Sequence, residues 1–372
     1  MDCEMHLCLR NSMKIPRWAG MFPVEGLNKK DIGELRFNMK SFYTLYYLST
    51  IFLQTVMTGL ITYWFLSNDI NLLTLSILAF YVTGITSAIL LLKLAREWPG
   101  LIRRAAYIER RAAAIRVNKI RSTKFTTITY VVLTLAVSKY STVVTFLFTK
   151  IYGVTIIQNH ALEVFLKCNP FSLQLANLQA TFLWNFTDVM TMCFSLYLIS
   201  YFQDFNALLD SQRNKVQWEQ LRIYYSKLVA LVQAVDSKMC YLIFTSILTN
   251  LFFICLQFYY TLRYCEFFSF YRNIDRGVNL VYYTFSSMFL VIRAMTMLFL
   301  AANVHAAAVK PKYALNWVSH TEYNIHVQRF NRQLCYTTTA LSGVFFYVTR
   351  GMILKVFTTI ITYELVLLQF NR

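Results

Sequence analysis

The chain has 372 residues, of which 57% are hydrophobic and only 15% are charged, and its mean hydropathy is +0.44. A soluble domain carries about a quarter charged residues, so this composition excludes a soluble protein and indicates a membrane protein with several spans. The net charge of +18 also occurs in proteins that bind nucleic acid, but here the basic residues lie in short segments between apolar stretches, and we expect no nucleic-acid partner.

The first 40 residues precede any apolar stretch, and we interpret 1–40 as a cytoplasmic N-terminal segment. It begins "MDCEMHLCLRNSMKIPR", without the apolar region and cleavage site of a signal peptide. Apolar stretches long enough to cross a bilayer core of about 30 Å follow at 41–66, 70–94, 125–147, 181–201, 240–260, 277–300 and 350–370. The sequence therefore predicts an all-α fold with seven transmembrane helices.

These spans divide the chain into further units. The first six spans occupy 41–300 and are joined by cytoplasmic loops at 95–124 and 202–239. A cytoplasmic segment, 301–349, precedes the last transmembrane helix in 350–372. The end of that segment, "LCYTTTALSGVFFYVT", is apolar but shorter than a span, so we expect it to form a buried helix over 334–349.

Lysine and arginine are unevenly divided between alternate connecting segments. With the N-terminus in the cytoplasm, the inner segments hold 25 of the 36 basic residues and the outer segments hold 6. Short loops on the cytoplasmic side of a membrane are enriched in basic residues, which also contact anionic lipid there. We therefore expect a cytoplasmic N-terminus and, because the number of spans is odd, an extracellular C-terminus. A seven-helix G-protein-coupled receptor would need the opposite orientation.

The sequence gives no positive sign of catalysis. It contains no HExxH, GxSxG or phosphate-binding GxxxxGK pattern, and its five histidines and eight cysteines lack the spacing of metal ligands. All five prolines lie outside the spans, whereas transporters place binding sites at spans interrupted by Gly or Pro. We expect no enzyme, no cofactor, no metal site and no transporter.

The last span carries a polar stripe along its whole length. On a helix of 3.6 residues per turn, one face collects Lys355, Thr359, Thr362, Tyr363, Val366, Gln369 and Phe370. Polar groups inside a membrane face a bundle interior or a water-filled path. The stripe therefore predicts a pore-lining helix, although the threonines could instead bond to their own helix and Tyr363 and Gln369 to neighbouring helices. Glu364 lies on the opposite side and needs a partner on another helix.

Polar and aromatic residues gather in the outer halves of spans three to six. The candidate ligand-binding residues are Tyr140, Trp184, Asn185, Asp188, Gln257, Tyr260, Tyr282, Tyr283 and Ser286. Sugars bind to aromatic faces and to carboxylates or amides, but outer Trp and Tyr residues also form interfacial belts. Among the intramembrane charges, Lys139 could pair with Asp188 or with Glu364, whereas Arg293 has no partner that the sequence identifies.

The predicted topology places only two cysteines, Cys168 and Cys265, in the oxidising outer space. Two cysteines can pair in only one way within a chain, so a disulfide between them is one expectation. Two free or interface-buried thiols are the other.

The C-terminal residues carry a resemblance to a known family. "TYELVLLQF", from Thr362 to Phe370, resembles the TYhhhhhQF signature (h, apolar) that closes the last helix of insect gustatory receptors. Ala340, Gly343, Phe345 and Arg350 resemble the pattern that leads into that helix, and "MFPVEGL" is similar to the corresponding segment of the sugar-receptor branch.

This resemblance implies a taste receptor that is a ligand-gated, non-selective cation channel in the plasma membrane of sensory neurons. It implies a homotetramer, or a heteromer with related subunits, whose last helices line a central pore that passes Na⁺, K⁺ and Ca²⁺. Val366, Gln369 and Phe370 would narrow this pore, 41–300 would bind the ligand, and 301–349 would form a cytoplasmic anchor where subunits meet. The expected ligand is a sugar, and the alternative is a bitter or other small molecule.

Overall fold

The computed structural model is a bundle of long helices, because the apolar stretches satisfy their backbone polar groups internally, as a bilayer requires. The structure describes residues 3–18, 20–67, 72–112, 125–136, 170–211, 217–267, 274–318, 320 and 323–370. The helices among them are α1 (Glu4–Trp18), α2 (Phe42–Ser67), α3 (Leu72–Ala112), α4 (Phe125–Ala136), α5 (Pro170–Ser211), α6 (Trp218–Phe267), α7 (Ile274–Val309), α8 (Pro311–Leu315), α9 (Ile325–Tyr336) and α10 (Arg350–Phe370). No strand occurs within these described ranges, which contain only two isolated β-bridges.

Five of these helices, α2, α3, α5, α6 and α7, are long and apolar enough to cross a membrane. Helix α5 lies at the centre, since 83% of its most apolar window is buried, compared with 28–50% in the other four. It packs against α2, α3, α6 and α7. Polar side chains on α5 therefore face protein and must find protein partners, because an unsatisfied polar group in an apolar interior is costly.

Helix α1 docks on one end of this bundle, against α3 and α5. Its apolar side chains, among them Met5, Leu9 and Met13, are fully buried. Burial raises the pKa of the Cys8 thiol to about 12, so this thiol stays protonated at neutral pH and packs as an apolar group. We call this end of the molecule, where α3 and α5 finish and α6 begins, the α1 end.

A half-buried carboxylate holds the start of α1 in place. Glu109 of α3 accepts hydrogen bonds from the backbone N–H groups of Glu4 (2.8 Å) and Met5 (2.9 Å). It also accepts the hydroxyl hydrogen bond of Tyr197 on α5, at 2.6 Å. The first N–H groups of a helix have no partner within it, so Glu109 both caps α1 and fastens it to the bundle.

Two expected loops are largely helical, which corrects the sequence analysis. Helix α3 runs through 95–112, and α5 and α6 together fill 202–211 and 218–239. A hydropathy window finds the apolar part of a helix but not its end. The charged residues of these segments continue the helices beyond the apolar part.

The prediction of a buried helix over 334–349 was wrong beyond Tyr336, where α9 ends. The chain forms a short hairpin instead, with a bridge between Ser342 and Tyr347 and a hydrogen bond from Val348 N to Leu341 O of 2.8 Å. The β-branched and aromatic residues of this segment favour extended backbone. A Cβ at Gly343 would lie 2.5 Å from the Phe346 ring, so any other residue at that position would require this ring to move.

We predict that Glu109→Ala lowers the melting temperature of the detergent-solubilised protein by several degrees. The change removes the acceptor of two helix-capping bonds, and a hydrogen bond to a charged group contributes roughly 1.5–3 kcal/mol. The control is Glu97→Ala, which removes a half-exposed ion pair to Lys238 (2.9 Å), a contact of a type that contributes only about 0–1 kcal/mol. Equal melting temperatures for the two variants would contradict the role of Glu109 in capping α1 and holding it to the bundle.

Candidate functional site

A buried ion pair joins the middle of α5 to the middle of α7. Nε of Arg293 lies 2.8 Å from Oδ2 of Asp188, and the two side chains are only 2% and 0% exposed. Charges in an apolar interior are costly unless they are paired and hydrogen-bonded. Their stability at this position therefore depends on the other polar groups around them.

Amide and hydroxyl groups supply those further bonds. Asn250 of α6 donates from Nδ2 to both carboxylate oxygens of Asp188, each at 3.1 Å, and its Oδ1 accepts from Nη2 of Arg293 at 2.9 Å. Ser246 donates its hydroxyl to Asp188, and Asn185 accepts from Nη1 of Arg293. Three helices are thus tied together at one level of the bundle.

The ring of Trp184 completes this arrangement. The guanidinium carbon of Arg293 lies 4.5 Å from the centre of the indole, within the range of a cation–π contact. The indole Nε1 donates to Oδ1 of Asn250 at 3.1 Å, and the side chain is half-buried. We call Trp184, Asn185, Asp188, Ser246, Asn250 and Arg293 the polar cluster.

The structure brings three of the predicted ligand-binding residues, Trp184, Asn185 and Asp188, into this cluster. Gln257 lies seven residues after Asn250 on α6 and is half-buried, and Ser286 lies seven residues before Arg293 on α7 and is buried. Seven residues make nearly two helical turns, so both lie on the faces that carry the cluster. They are about 10 Å further from the α1 end.

Four other candidates cannot be placed in the same way. Tyr140 lies outside the described residues. Tyr260 belongs to α6, and Tyr282 and Tyr283 belong to α7, but their side chains are outside what the structure describes. Cys168 is likewise outside the described residues and the side chain of Cys265 is not described, so the expected disulfide remains a prediction.

The carboxylate of Asp188, expected to bind ligand or to pair with Lys139, is enclosed by protein groups. Arg293, which had no assigned partner, is the partner of Asp188, and Lys139 lies outside the described residues. The hydropathy windows started the two spans at 181 and 277, seven residues before Asp188 and sixteen before Arg293. These starts placed the two charges at different depths, so the pair was not predicted. The helices begin at Pro170 and Ile274, 18 and 19 residues before the two charges, which makes the charges level.

Helix α10 presents its polar stripe away from its own bundle. The described stripe members Lys355, Thr359, Thr362, Tyr363 and Val366 are all exposed. The buried side of the helix carries Ile353 and Ile360 instead. The hydroxyls of Thr359 and Thr362 donate to carbonyls one turn earlier in α10, each at 2.9 Å, as one of the two expectations had it. The side chains of Glu364, Gln369 and Phe370 are outside what the structure describes.

An apolar cluster connects α10 to the helices of the polar cluster. Ile360 of α10 packs with Ile254 of α6 and with Leu290 and Ala294 of α7, and Trp184 packs against the same group. The indole therefore contacts Arg293 on one side and, through these residues, the buried face of α10. A movement of Trp184 in the polar cluster would therefore be transmitted to the last helix through these apolar contacts.

Comparison with known proteins identifies the family. The sequence profile of the trehalose receptor family matches residues 2–372. The chain is 26% identical to the Drosophila melanogaster gustatory receptor for sugar taste 64f, over 100% of this chain and 82% of that receptor. It is 25% identical to gustatory receptor 5a for trehalose from the same organism, over 100% of this chain and 86% of that receptor.

Solved structures show the same fold at lower identity. The olfactory receptor OR5 from Machilis hrabei in complex with eugenol superposes with a TM-score of 0.71 at 12% identity, covering 98% of both chains. A second structure of that receptor gives a TM-score of 0.72 at 11% identity, over 98% of this chain and 100% of the other. With a family profile that spans almost every residue, the chain is a membrane protein of the trehalose receptor family of insect gustatory receptors.

Proposed function

We propose that this protein is a sugar-gated, non-selective cation channel that acts as a taste receptor in the plasma membrane of sensory neurons. The observation that carries the proposal is the exposed polar stripe of α10. A single helix cannot enclose a water-filled path, so the stripe needs other copies around an axis. A tetramer, homomeric or with related subunits, would turn Thr359, Thr362 and Tyr363 toward a shared pore for Na⁺, K⁺ and Ca²⁺.

Exposed aromatic side chains in 301–349 support this assembly. Trp317 is 82% exposed, Tyr336 is 84% exposed and Phe345 is 83% exposed. Large apolar groups exposed at a surface favour contacts with another protein. We assign them to contacts between subunits in a cytoplasmic anchor, with the N-terminus also in the cytoplasm and the C-terminus outside the cell.

The ligand pocket, in this proposal, lies beyond the polar cluster on the side away from the α1 end. The cluster forms its floor, and Gln257 and Ser286 stand on its walls. A sugar offers hydroxyls to amide and hydroxyl groups and C–H faces to an aromatic ring such as Trp184. Asp188 then acts by fixing Arg293 and Trp184, since its own oxygens are already occupied by protein donors.

The relatives support a sugar as the ligand class. Two of them are described as receptors for sugar taste and for trehalose, and both align with the full length of this chain. A bitter or other small molecule remains the alternative that a ligand panel would reveal. Membrane lipid surrounds the bundle, and neither a cofactor nor catalysis has a part in this function.

We predict that cells expressing this chain alone give a cation current when challenged with trehalose, sucrose, glucose or fructose, and none with a panel of bitter compounds. Phe370→Ala should raise the current without ligand, because removing four rings widens a hydrophobic constriction. Gln369→Glu should raise divalent permeation by adding a ring of carboxylates. Whole-cell recording with ion substitution measures both effects.

The control for these pore variants is Ile361→Ala, an exposed position of α10 outside the stripe, which should leave leak and selectivity unchanged. If Phe370→Ala and Gln369→Glu reach the cell surface and behave as the unmodified chain does, α10 does not line the pore. A current evoked only by bitter compounds would overturn the sugar assignment.

We also predict that the polar cluster separates folding from ligand sensitivity. Asp188→Leu alone should lower surface expression, because stranding one partner of a buried ion pair costs about 3–5 kcal/mol. Adding Arg293→Met should restore expression, since no charge remains. Sugar sensitivity should stay lost in the double variant, because Trp184 no longer has the guanidinium above it. Restored expression with normal sensitivity would remove the cluster from the ligand site.

A further inference from the structure

The hairpin before α10 is a small rigid unit. Besides the bond between Val348 and Leu341, Gly343 N donates to Phe346 O at 2.8 Å, and Val344 at its tip has a positive φ of 67°. Only Thr349 separates the hairpin from α10, and its hydroxyl accepts the Met352 N–H at 3.4 Å. A displacement of residues 341–348 therefore displaces the start of α10.

One carboxylate of α6 grips this hairpin. Oδ1 of Asp236 accepts the backbone N–H of Ser342 at 2.6 Å, and Oδ2 accepts its hydroxyl at 2.8 Å. Hydrogen bonds to a charged acceptor are shorter and stronger than neutral ones. Eight residues further along α6, the ring of Phe244 lies 5.8 Å from that of Phe345 and 6.4 Å from that of Phe346.

The same helix reaches the polar cluster. Helix α6 runs unbroken from Trp218 to Phe267 and contains no proline or glycine, the usual causes of a kink. Asp236 lies ten residues before Ser246 and fourteen before Asn250, which is about 15 and 21 Å at 1.5 Å per residue. One continuous helix thus carries two contacts to Asp188 at one level and the grip on the hairpin at another.

Helix α7 has a parallel arrangement. Arg293 is ten residues before Asn303, whose Oδ1 accepts from Nη2 of Arg350 at the start of α10 (3.1 Å). His305 Nδ1 lies 3.1 Å from Thr339 O, just before the hairpin. The Arg350 contact is exposed and the His305 contact is half-buried, as the Asp236 contact is, but only the Asp236 contact of these three engages both oxygens of a carboxylate.

We propose that Asp236 is a positioning residue for gating, which makes the hairpin and the start of α10 move with α6 when the polar cluster rearranges on sugar binding. This inference rests on the proposed channel function and adds the link through which the ligand acts on the pore. A contact that only stabilised the fold would lower the amount of channel at the surface. It would leave the ratio of sugar-evoked to basal current per surface channel unchanged.

The test is whole-cell current in cells expressing full-length variants, divided by surface-labelled protein, with the sugar that activates the unmodified chain as the probe. Asp236→Ala should reduce the ratio of saturating to basal current at least about fivefold, the lower end of usual coupling between sites, through a lower saturating current while basal current per surface channel stays unchanged. Asp236→Asn is isosteric and keeps a side-chain oxygen for the Ser342 N–H and an amide for its hydroxyl, so it should stay within about twofold of the unmodified ratio.

The matched control is Lys238→Met, two residues along α6. It breaks the ion pair to Glu97 on α3 and does not touch the hairpin, so the current ratio should not change. Ser342→Ala removes only the hydroxyl bond and should give a drop between those of Asn and Ala at position 236. It also keeps the inference testable should Asp236→Ala fail to reach the surface.

The outcomes separate this inference from the channel proposal. If the unmodified chain carries no sugar-evoked current, either alone or with related subunits, the proposed function fails. If it does conduct but Asp236→Ala and Ser342→Ala keep its ratio, Asp236 does not couple the two regions. If Asp236→Ala raises the basal current and leaves the maximum unchanged, Asp236 is a latch of the closed state. If Asp236→Asn is as impaired as Asp236→Ala, the geometry of the hydrogen bonds is not what matters. Either result overturns the inference.

Discussion

The ion pair between Asp188 and Arg293 is the constraint on which the rest of the molecule depends. Its charges are buried on the central helix α5 and on α7, where neither is tolerable alone. The need to satisfy them fixes Asn250 and Ser246 of α6, and hence the relative level of three helices. It also places a cation over the indole of Trp184, which packs toward Ile360 of α10. The need to satisfy the buried ion pair thus also determines how Trp184 packs toward the last helix.

Much of the fold was predictable because a bilayer leaves few alternatives for the backbone. Apolar stretches predicted where helices form, and the family resemblance at Thr362–Phe370 is confirmed by a profile that covers residues 2–372. Helix lengths were not predictable, since charged residues continue α3 and α6 beyond their apolar parts. The hairpin at 341–348 was missed because its aromatic and β-branched residues read as apolar sequence, although Gly343 marked a turn.

The site was predicted only in part, because some of its residues are neighbours in the sequence and others are not. Trp184, Asn185 and Asp188 were selected by their spacing on one helix, which is a local property. The partner of Asp188 was not local, and an error of eleven residues in the start of α5 placed Arg293 at a different depth. Ser246 and Asn250, four residues apart in an apolar span, were the available signal, since they are neighbours on one helical face and buried polar groups need hydrogen-bond partners.

The exposure of the α10 stripe and the continuity of α6 provide, under the proposed function, a route by which a ligand opens the pore without large rearrangement. Helix α6 contacts the polar cluster, the hairpin and α10. A small tilt of α6 would therefore change its contacts with all three. In such a bundle, discrete packing arrangements rather than continuous bending convert small shifts into a change of state. The hairpin is the point where this tilt would be passed to the lining helix.

The most direct measurement compares neighbouring cysteines on α10. Thr362→Cys lies on the stripe and Ile361→Cys lies about 100° away around the helix, although both side chains are exposed in the single chain. A charged, thiol-reactive methanethiosulfonate applied during sugar-evoked current should block the current at Thr362→Cys, reversibly by reduction, and leave Ile361→Cys and the unmodified chain conducting. Equal block at both positions, or block at neither, would contradict a pore lined by this face of α10.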